Sequence, residues 1–324
     1  MTRKPRVLYL DQNAWIALAR GSWDGATYPV EHAALTRVMR ALQADGVVVP
    51  LSFTNIYETS KINDPVRRMH LARVQVTLSG GKVLRSRRRI LEETLVQHIA
   101  RRTNLPAPVL ADDWFLSDLW FESAAEYTPN AFGFAISDSA LELFRQNPAH
   151  ALFTYLTGSD DAVRLEAVRR YSASSGELIR KLNARRSLAA GESFALRLRA
   201  YSANLVIDEL DFIFRTAQRL GLAWTTVHDI GPSLLKSFVN EVPILNVERE
   251  LVVRLENQDR ATNENDLRDV TSFAAALPLV DFLVGEKASV NLARQAKLGK
   301  KYSTVLLTKV SDLTDDLLGN AGGP

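Results

Sequence analysis

VLYLDQNAWIALA, residues 7–19, is the stretch on which the fold turns. Arg6 to Leu10 form a short apolar run that stops at Asp11, the pattern of a buried strand. Asn13 to about Arg20 then reads as a helix. After a Gly-rich break, residues 31–44 are predicted as an amphipathic helix with Leu35, Val38, Met39 and Leu42 on one face. Val47-Val48-Val49-Pro50-Leu51 reads as a second buried strand, and a further helix begins at Asn55. Strand, helix, strand, helix at these lengths points to an α/β unit with a parallel sheet.

The C-terminal portion repeats the pattern. A helix is predicted from Asn265-Asp266 through Ala276 and ends at Pro278, and a strand follows over Leu279–Gly285 beside Glu286. A helix over 288–298 and a last strand over Thr304–Leu307 complete it. Between the two portions, Leu91–Arg101, Asp113–Tyr127, Asp138–Phe144 and Asp161–Arg186 all read as helices. Phe194–Leu220 reads as one long helix, with Val206, Leu210, Ile213, Ala217 and Leu220 at helical spacing. If the two α/β portions share one sheet, the helical middle is an insertion into it.

Composition closes off much of the chemistry. The 324 residues include no Cys, which excludes disulfides, thiolate catalysis and cysteine-bearing zinc or iron–sulfur sites. The histidines at 32, 70, 98, 150 and 228 never fall at H-x-x-x-H spacing, so any metal is expected to be held mainly by oxygen. No apolar run reaches the roughly 18–20 residues of a membrane helix, and Met-Thr-Arg-Lys-Pro-Arg does not open a signal peptide. A cytoplasmic protein without a membrane partner is the expectation. Ser79-Gly80-Gly81-Lys82 lacks the first glycine of a P-loop, and the chain holds no G-x-S-x-G elbow.

What remains is carboxylate chemistry. Asp11 ends a strand, Glu58 lies on the helix after the second strand, Asp266 and Asp269 open a C-terminal helix, and Glu286 ends another strand. Each alone has a plainer use: Asp11 as a turn or N-cap residue, Glu58 as a solvated helix residue, Asp281 as the start of a strand, Glu286 as half of a surface pair with Lys287. Taken together, acids that converge on one sheet edge repel one another unless a cation neutralises them, and an oxygen-lined cluster suits Mg²⁺ or Mn²⁺.

Three segments, "VLYLDQNAWIALA", "VVVPLSFTNIYETSK" (47–61) and "NDLRDVTSFAAALPLVDFLVGEK" (265–287), followed by "STVLLTK" (303–309), resemble the PIN-like domain family of metal-dependent nucleases. The resemblance covers about 1–84 and 246–312. It implies a three-layer α/β fold with a central parallel sheet; the stretch over 85–245 has no counterpart in the family and is read as a large all-helical insertion, and 313–324 as a tail. It also implies catalytic, metal-holding roles for Asp11, Glu58, Asp269 and Glu286. Asp266 and Asp281 are the alternative or supporting ligands, and Asn13 and Ser52 orient carboxylates or water. Glu286 stands where the family pattern has Asp. The implied activity is phosphodiester hydrolysis through Mg²⁺- or Mn²⁺-activated water, on RNA, of the toxin, RNA-processing or defence type. The alternative is a PIN-like module that binds nucleic acid or protein without catalysis.

Charge supplies a partner. Residues 61–110 carry 11 Lys+Arg against 3 Asp+Glu, while residues 241–290 carry 5 against 10. Within the basic segment, Arg85, Arg87, Arg88 and Arg89 are the candidates for nucleic-acid phosphates, set against the plainer reading of a solvated face. The helical insertion is the expected place for a protein inhibitor or for self-association. Trp15, Trp114, Phe115, Trp120 and Phe121 are read as core, and His70, among Arg67, Arg68 and Arg73, as a surface residue.

Overall fold

The computed structural model describes residues 4–124, 137–158, 160–188, 191–258 and 263–319. The chain begins β1 (Arg6–Leu10), α1 (Gln12–Trp23), α2 (Pro29–Gln43), β2 (Val47–Val48), α3 (Phe53–Ser60), α4 (Pro65–Ser79) and β3 (Val83–Leu84). It continues with α5 (Arg87–Thr103), β4 (Leu116–Ser117), α6 (Asp138–Gln146), α7 (Pro148–Gly158), α8 (Asp161–Leu188), α9 (Phe194–Asp208), α10 (Leu210–Arg219), α11 (Val227–Ile230) and α12 (Pro232–Glu241). It ends α13 (Pro243–Glu256), α14 (Glu264–Ala276), β5 (Phe282–Val284), α15 (Lys287–Gln295), α16 (Leu298–Tyr302), β6 (Val305–Leu307) and α17 (Asp315–Leu318). None of the described helices is long and apolar enough to cross a membrane.

Two compact units divide these elements. One comprises 1–86, 115–173 and 279–324, the other 87–114 and 174–278. The first is α/β. Its sheet runs β2-β1-β5-β6, every neighbouring pair parallel. An isolated parallel bridge joins Leu51 to Val83, so β3 continues past β2, and β4 pairs antiparallel with β3. Parallel strands need long crossovers, which the intervening helices supply. The core of this unit joins Leu8 and Leu10 of β1 to Trp15 and Leu18 of α1, all fully buried, with Val38 of α2 and Leu152 of α7 packed among them.

The second unit is helical throughout its described residues. α13 is its centre: Ile244, Leu245, Val247, Leu251 and Val253 are all buried, and α9, α12 and α14 pack around the helix. Buried residues lie on several sides of this helix, as its position among the others requires.

The division departs from the expected one in two places. Residues 246–278, expected to return to the sheet, belong to the helical unit because α14 packs on α13. Residues 115–173, expected in the insertion, belong to the sheet unit, where α7 packs on α4. The tail also differs. Leu313 and Leu318 are fully buried against α2, and α17 is a capped turn, so only 320–324 of the expected tail lie outside the described residues. The helix predicted over 113–127 is instead β4 and a 3₁₀ turn over Trp120–Ser123, with 125–127 outside the described residues. Its aromatics do pack inward: Trp120 stacks on Tyr155 at 3.7 Å, and Phe121 meets Phe144 edge-on. The predicted helix over 194–220 is broken at Glu209 into α9 and α10.

α1 and α2 meet at Gly21, where a Cβ would lie 2.5 Å from the backbone of Glu31 and of His32. In an exposed helix, Gly→Ala gains about 1 kcal/mol. Here two backbones must separate, so Gly21→Ala is expected to destabilise the chain by about 1–3 kcal/mol. Urea unfolding measures this, and a variant as stable as the parent would show that the helices can part at no cost.

Candidate functional site

The ladder between β1 and β5 pairs Leu10 with Val284, and the amide of Asp11 extends it by donating to the Val284 carbonyl at 2.9 Å. On the other side of β5, the Gly285 amide donates to the Leu307 carbonyl at 3.0 Å. Three strands therefore end level, and the residues just past them form the carboxyl edge of the sheet. In open parallel sheets this edge is where ligands gather.

Asp11 stands at that edge as the N-cap of α1, its Oδ1 accepting from the Ala14 amide at 2.8 Å. Glu286 sits opposite, in the N-cap position of α15, exposed and without a capping bond from its own side chain. Burial pushes the Asp11 carboxyl up from its ordinary 3.8 to about 6, the Ala14 amide works against that, and the negative charge of Glu286 adds to the rise. The two acids share a cleft of about 690 Å³, whose walls include Asn13, Tyr28, Glu31, Lys287 and Lys309. It is an acidic floor with two lysines at its side.

Other predicted residues are not among the walls of that cleft. Asp281 lies at the amino end of β5: its Oδ2 accepts from the Val7 amide at 2.7 Å, and its own amide donates to the Val7 carbonyl. Four residues of strand, about 13 Å at 3.3 Å per residue, separate it from Gly285. It is a strand-start residue and does not reach the Asp11 edge. Ser52 caps α3 in a reciprocal box with Asn55 and pairs with the Tyr9 hydroxyl at 3.3 Å; it is no wall of the cleft. Glu58 is half-buried on α3, one turn beyond Asn55 and also outside the cleft walls. Asp266 and Asp269 lie on α14 in the helical unit. Asp266 is the returning arm of a capping box, its Oδ2 accepting from the Asn263 amide at 2.8 Å. Among the described residues no three His, Asp or Glu side chains form a group that would hold a metal by themselves.

The basic run is spent largely on internal pairs. Arg85 meets Glu122 at 2.7 Å and the Leu116 carbonyl at 3.1 Å. Arg87 is clamped between Glu248 at 2.5 Å and Glu209 at 2.9 Å. Burial works against its charge, but these two carboxylates outweigh it and hold the guanidinium above the ordinary arginine value. Arg89 meets Glu92 and Glu93 on its own helix, while Arg88 is exposed over the Phe212 ring at 4.6 Å. Read from sequence, nothing distinguishes Arg85 and Arg87 from a free basic face, since their acids lie 37 to 161 positions away.

No family model, no curated protein and no solved structure matches the chain. The functional case therefore rests on its own residues.

Sequence reasoning missed two kinds of residue. Lys287 and Lys309 flank the cleft, and their signal was a lysine two or three residues after each apolar strand, in "GEK" and "LLTK". The second kind is a buried polar chain. Asn55, fully buried, reaches from its amide nitrogen to the Leu10 carbonyl and the Gln12 side chain at 3.4 Å each. Gln12 donates to the Thr59 hydroxyl at 3.1 Å, and Thr59 to Gln75 at 3.0 Å. These bonds tie the end of β1 to α3 and α4 and so hold Asp11 in place.

Two outcomes follow. Folding raises the Asp11 carboxyl, so the folded chain holds that proton more tightly than the unfolded chain. Its contribution to stability is present below pH 3.8 and is lost as pH rises through about 6. Asp11→Asn removes the charge and keeps an acceptor for Ala14. It is expected to be more stable than the parent near neutral pH by on the order of 2 kcal/mol, with the gap closing towards pH 4. Urea unfolding against pH checks this, and a gap that does not depend on pH refutes it. Separately, Arg87→Gln leaves Glu209 and Glu248 facing each other and is expected to cost about 3 kcal/mol. An unchanged unfolding midpoint would return Arg87 to the list of free cations.

Proposed function

We propose that this chain is a PIN-like, metal-dependent nuclease that hydrolyses phosphodiester bonds in RNA at the carboxyl edge of its parallel sheet. The observation that carries the reading is the pair Asp11 and Glu286, two carboxylates placed at the ends of adjacent strands closely enough that the charge of one raises the other. The strand order supports it, with β1 central, β2 and then β3 on one side, and β5 and β6 on the other.

The donor set fits Mg²⁺ or Mn²⁺. Mg²⁺ is commonly held by one or two carboxylates together with substrate phosphate and water, and needs no cage of protein ligands. Asp11 and Glu286 would hold it. When bound, such an ion lowers the pKa of water and polarises phosphoryl oxygens. The chain's own groups do the rest. Asp11 is fixed by its cap bond to Ala14, Lys287 and Lys309 offer positive charge to the phosphates beside the acids, and Asn13 presents an amide on the first turn of α1. RNA processing or defence is the corresponding biological role.

A second reading, a binding module without catalysis, draws on Asp281 and Asp266, which spend their carboxylates on backbone amides. Incubating the purified chain with single-stranded RNA and DNA, in Mn²⁺ or in EDTA, separates the two. The nuclease reading expects RNA cleavage that EDTA abolishes and that Asp11→Asn and Glu286→Gln lower by about 100-fold or more. Mn²⁺ should also raise the melting temperature of the parent but not of Asp11→Asn. Cleavage unchanged in both variants sinks the assigned site, and retained binding without cleavage favours the module.

A further inference from the structure

α1 begins at Asp11 and ends, about 18 Å away at 1.5 Å per residue, at Trp23. That tryptophan is 71% exposed, an unusual setting for the largest apolar side chain. One face of its ring is stacked on His70 of α4, with centroids 3.8 Å apart and planes 28° from parallel. The pair stands over a second cleft, of about 380 Å³, whose walls include Arg20, Arg67 and Tyr28 and no acid. Among the described residues neither Arg20 nor Arg67 is in an ion pair; Arg20 lies over the Tyr28 ring at 5.9 Å. Tyr28 is also a wall of the Asp11–Glu286 cleft, so one residue borders both.

We infer that Trp23 and His70 form a stacking platform for an unpaired nucleobase, with Arg20 and Arg67 holding the adjoining phosphates. The inference rests on the nucleic-acid reading of the neighbouring cleft and adds to it a preference for single strands. A flat aromatic face beside two arginines, over a cleft whose other walls are mostly apolar, matches the two halves of a nucleotide, the base by its π-face and the phosphate by charge. A paired base keeps its faces covered by its neighbours in the stack and cannot use the platform. The distance along α1 lets one strand of several nucleotides lie on the platform while another of its phosphates reaches the acids.

The test measures binding by the full chain in EDTA, where strand scission is absent. The probes are a fluorescein-labelled single-stranded RNA, the same sequence as a duplex, and an acidic polyglutamate peptide. The parent is expected to prefer the single strand. Trp23→Ala should weaken that binding by about 10- to 100-fold, Trp23→Phe should restore most of it, and duplex binding should change little in either. Arg67→Ala should lower affinity for both forms and reduce the salt dependence. Trp23 is exposed, and thermal melting verifies that its variants are folded. Equal binding by parent and Trp23→Ala overturns the platform, as does an equal loss for single strand and duplex. Polyglutamate binding that depends equally on Trp23 overturns it too, in favour of an acidic protein partner. The two readings fail separately: Asp11→Asn that abolishes cleavage while Trp23→Ala leaves binding intact removes the platform alone, and Trp23-dependent binding without any cleavage removes catalysis alone.

Discussion

The hydrogen bond from the Asp11 amide to the Val284 carbonyl is the joint on which the candidate site depends. It carries the β1–β5 ladder one residue past the last paired side chains and fixes Asp11 before its helix begins. β1 pairs with β2 at Arg6 and Val7 and with β5 from Leu8 to Leu10, so its end cannot shift without breaking backbone bonds to β5. Asn55 adds a further restraint by donating to the Leu10 carbonyl from α3. A carboxylate set on so constrained a backbone keeps its position when a neighbouring charge pushes against it, which is the requirement for holding ions or phosphates at a defined place.

That position has a cost, and the fold partly offsets it. Asp11 loses water on folding and faces Glu286, so its ionised form is disfavoured. Both acids, however, stand at helix N-termini, Asp11 on α1 and Glu286 on α15, where the exposed amides carry partial positive charge. The same partial charges favour a phosphate once a cation has neutralised the carboxylates. Lys287 and Lys309 act in the same direction. The edge thus pairs negative side chains with positive backbone, and a strained charge is kept where an aspartate serving only as a cap would relax to solvent.

The sheet was legible because each strand is a short apolar run ended by a polar residue. Leu10-Asp11 and Gly285-Glu286 mark two ends within a residue or two of where the strands stop, while Leu51-Ser52 lies three residues past β2, at an isolated bridge to Val83. The start of a strand was harder. The apolar run suggests a strand from Leu279, and the pairing to Val7 shows Asp281 just before Phe282, at the amino end. The assignment of α13 and α14 was missed because an apolar helix next to a strand in sequence looks like part of the same layer. The burial of Val247, Leu251 and Val253 among other helices decides it, and that depends on distant segments. The break at Glu209 has no signal in its local sequence, which reads as helical.

A net charge of +3 says little about where cations are available, and the basic segment 61–110 shows why. Arg68 is buried and donates to the Ile62 carbonyl at 2.6 Å, Arg85 is paired with Glu122, and Arg87 is enclosed by two glutamates. These arginines hold the fold together, and arginine suits that work because its planar fork satisfies several acceptors at once. Arg67 is one residue from Arg68 on α4 yet faces the open cleft beside His70 and Trp23. Adjacent helical positions point about 100° apart, so one becomes structure and the next becomes surface. A charge run therefore marks where phosphate contact is affordable, and the helical phase of each residue decides which of them can make it.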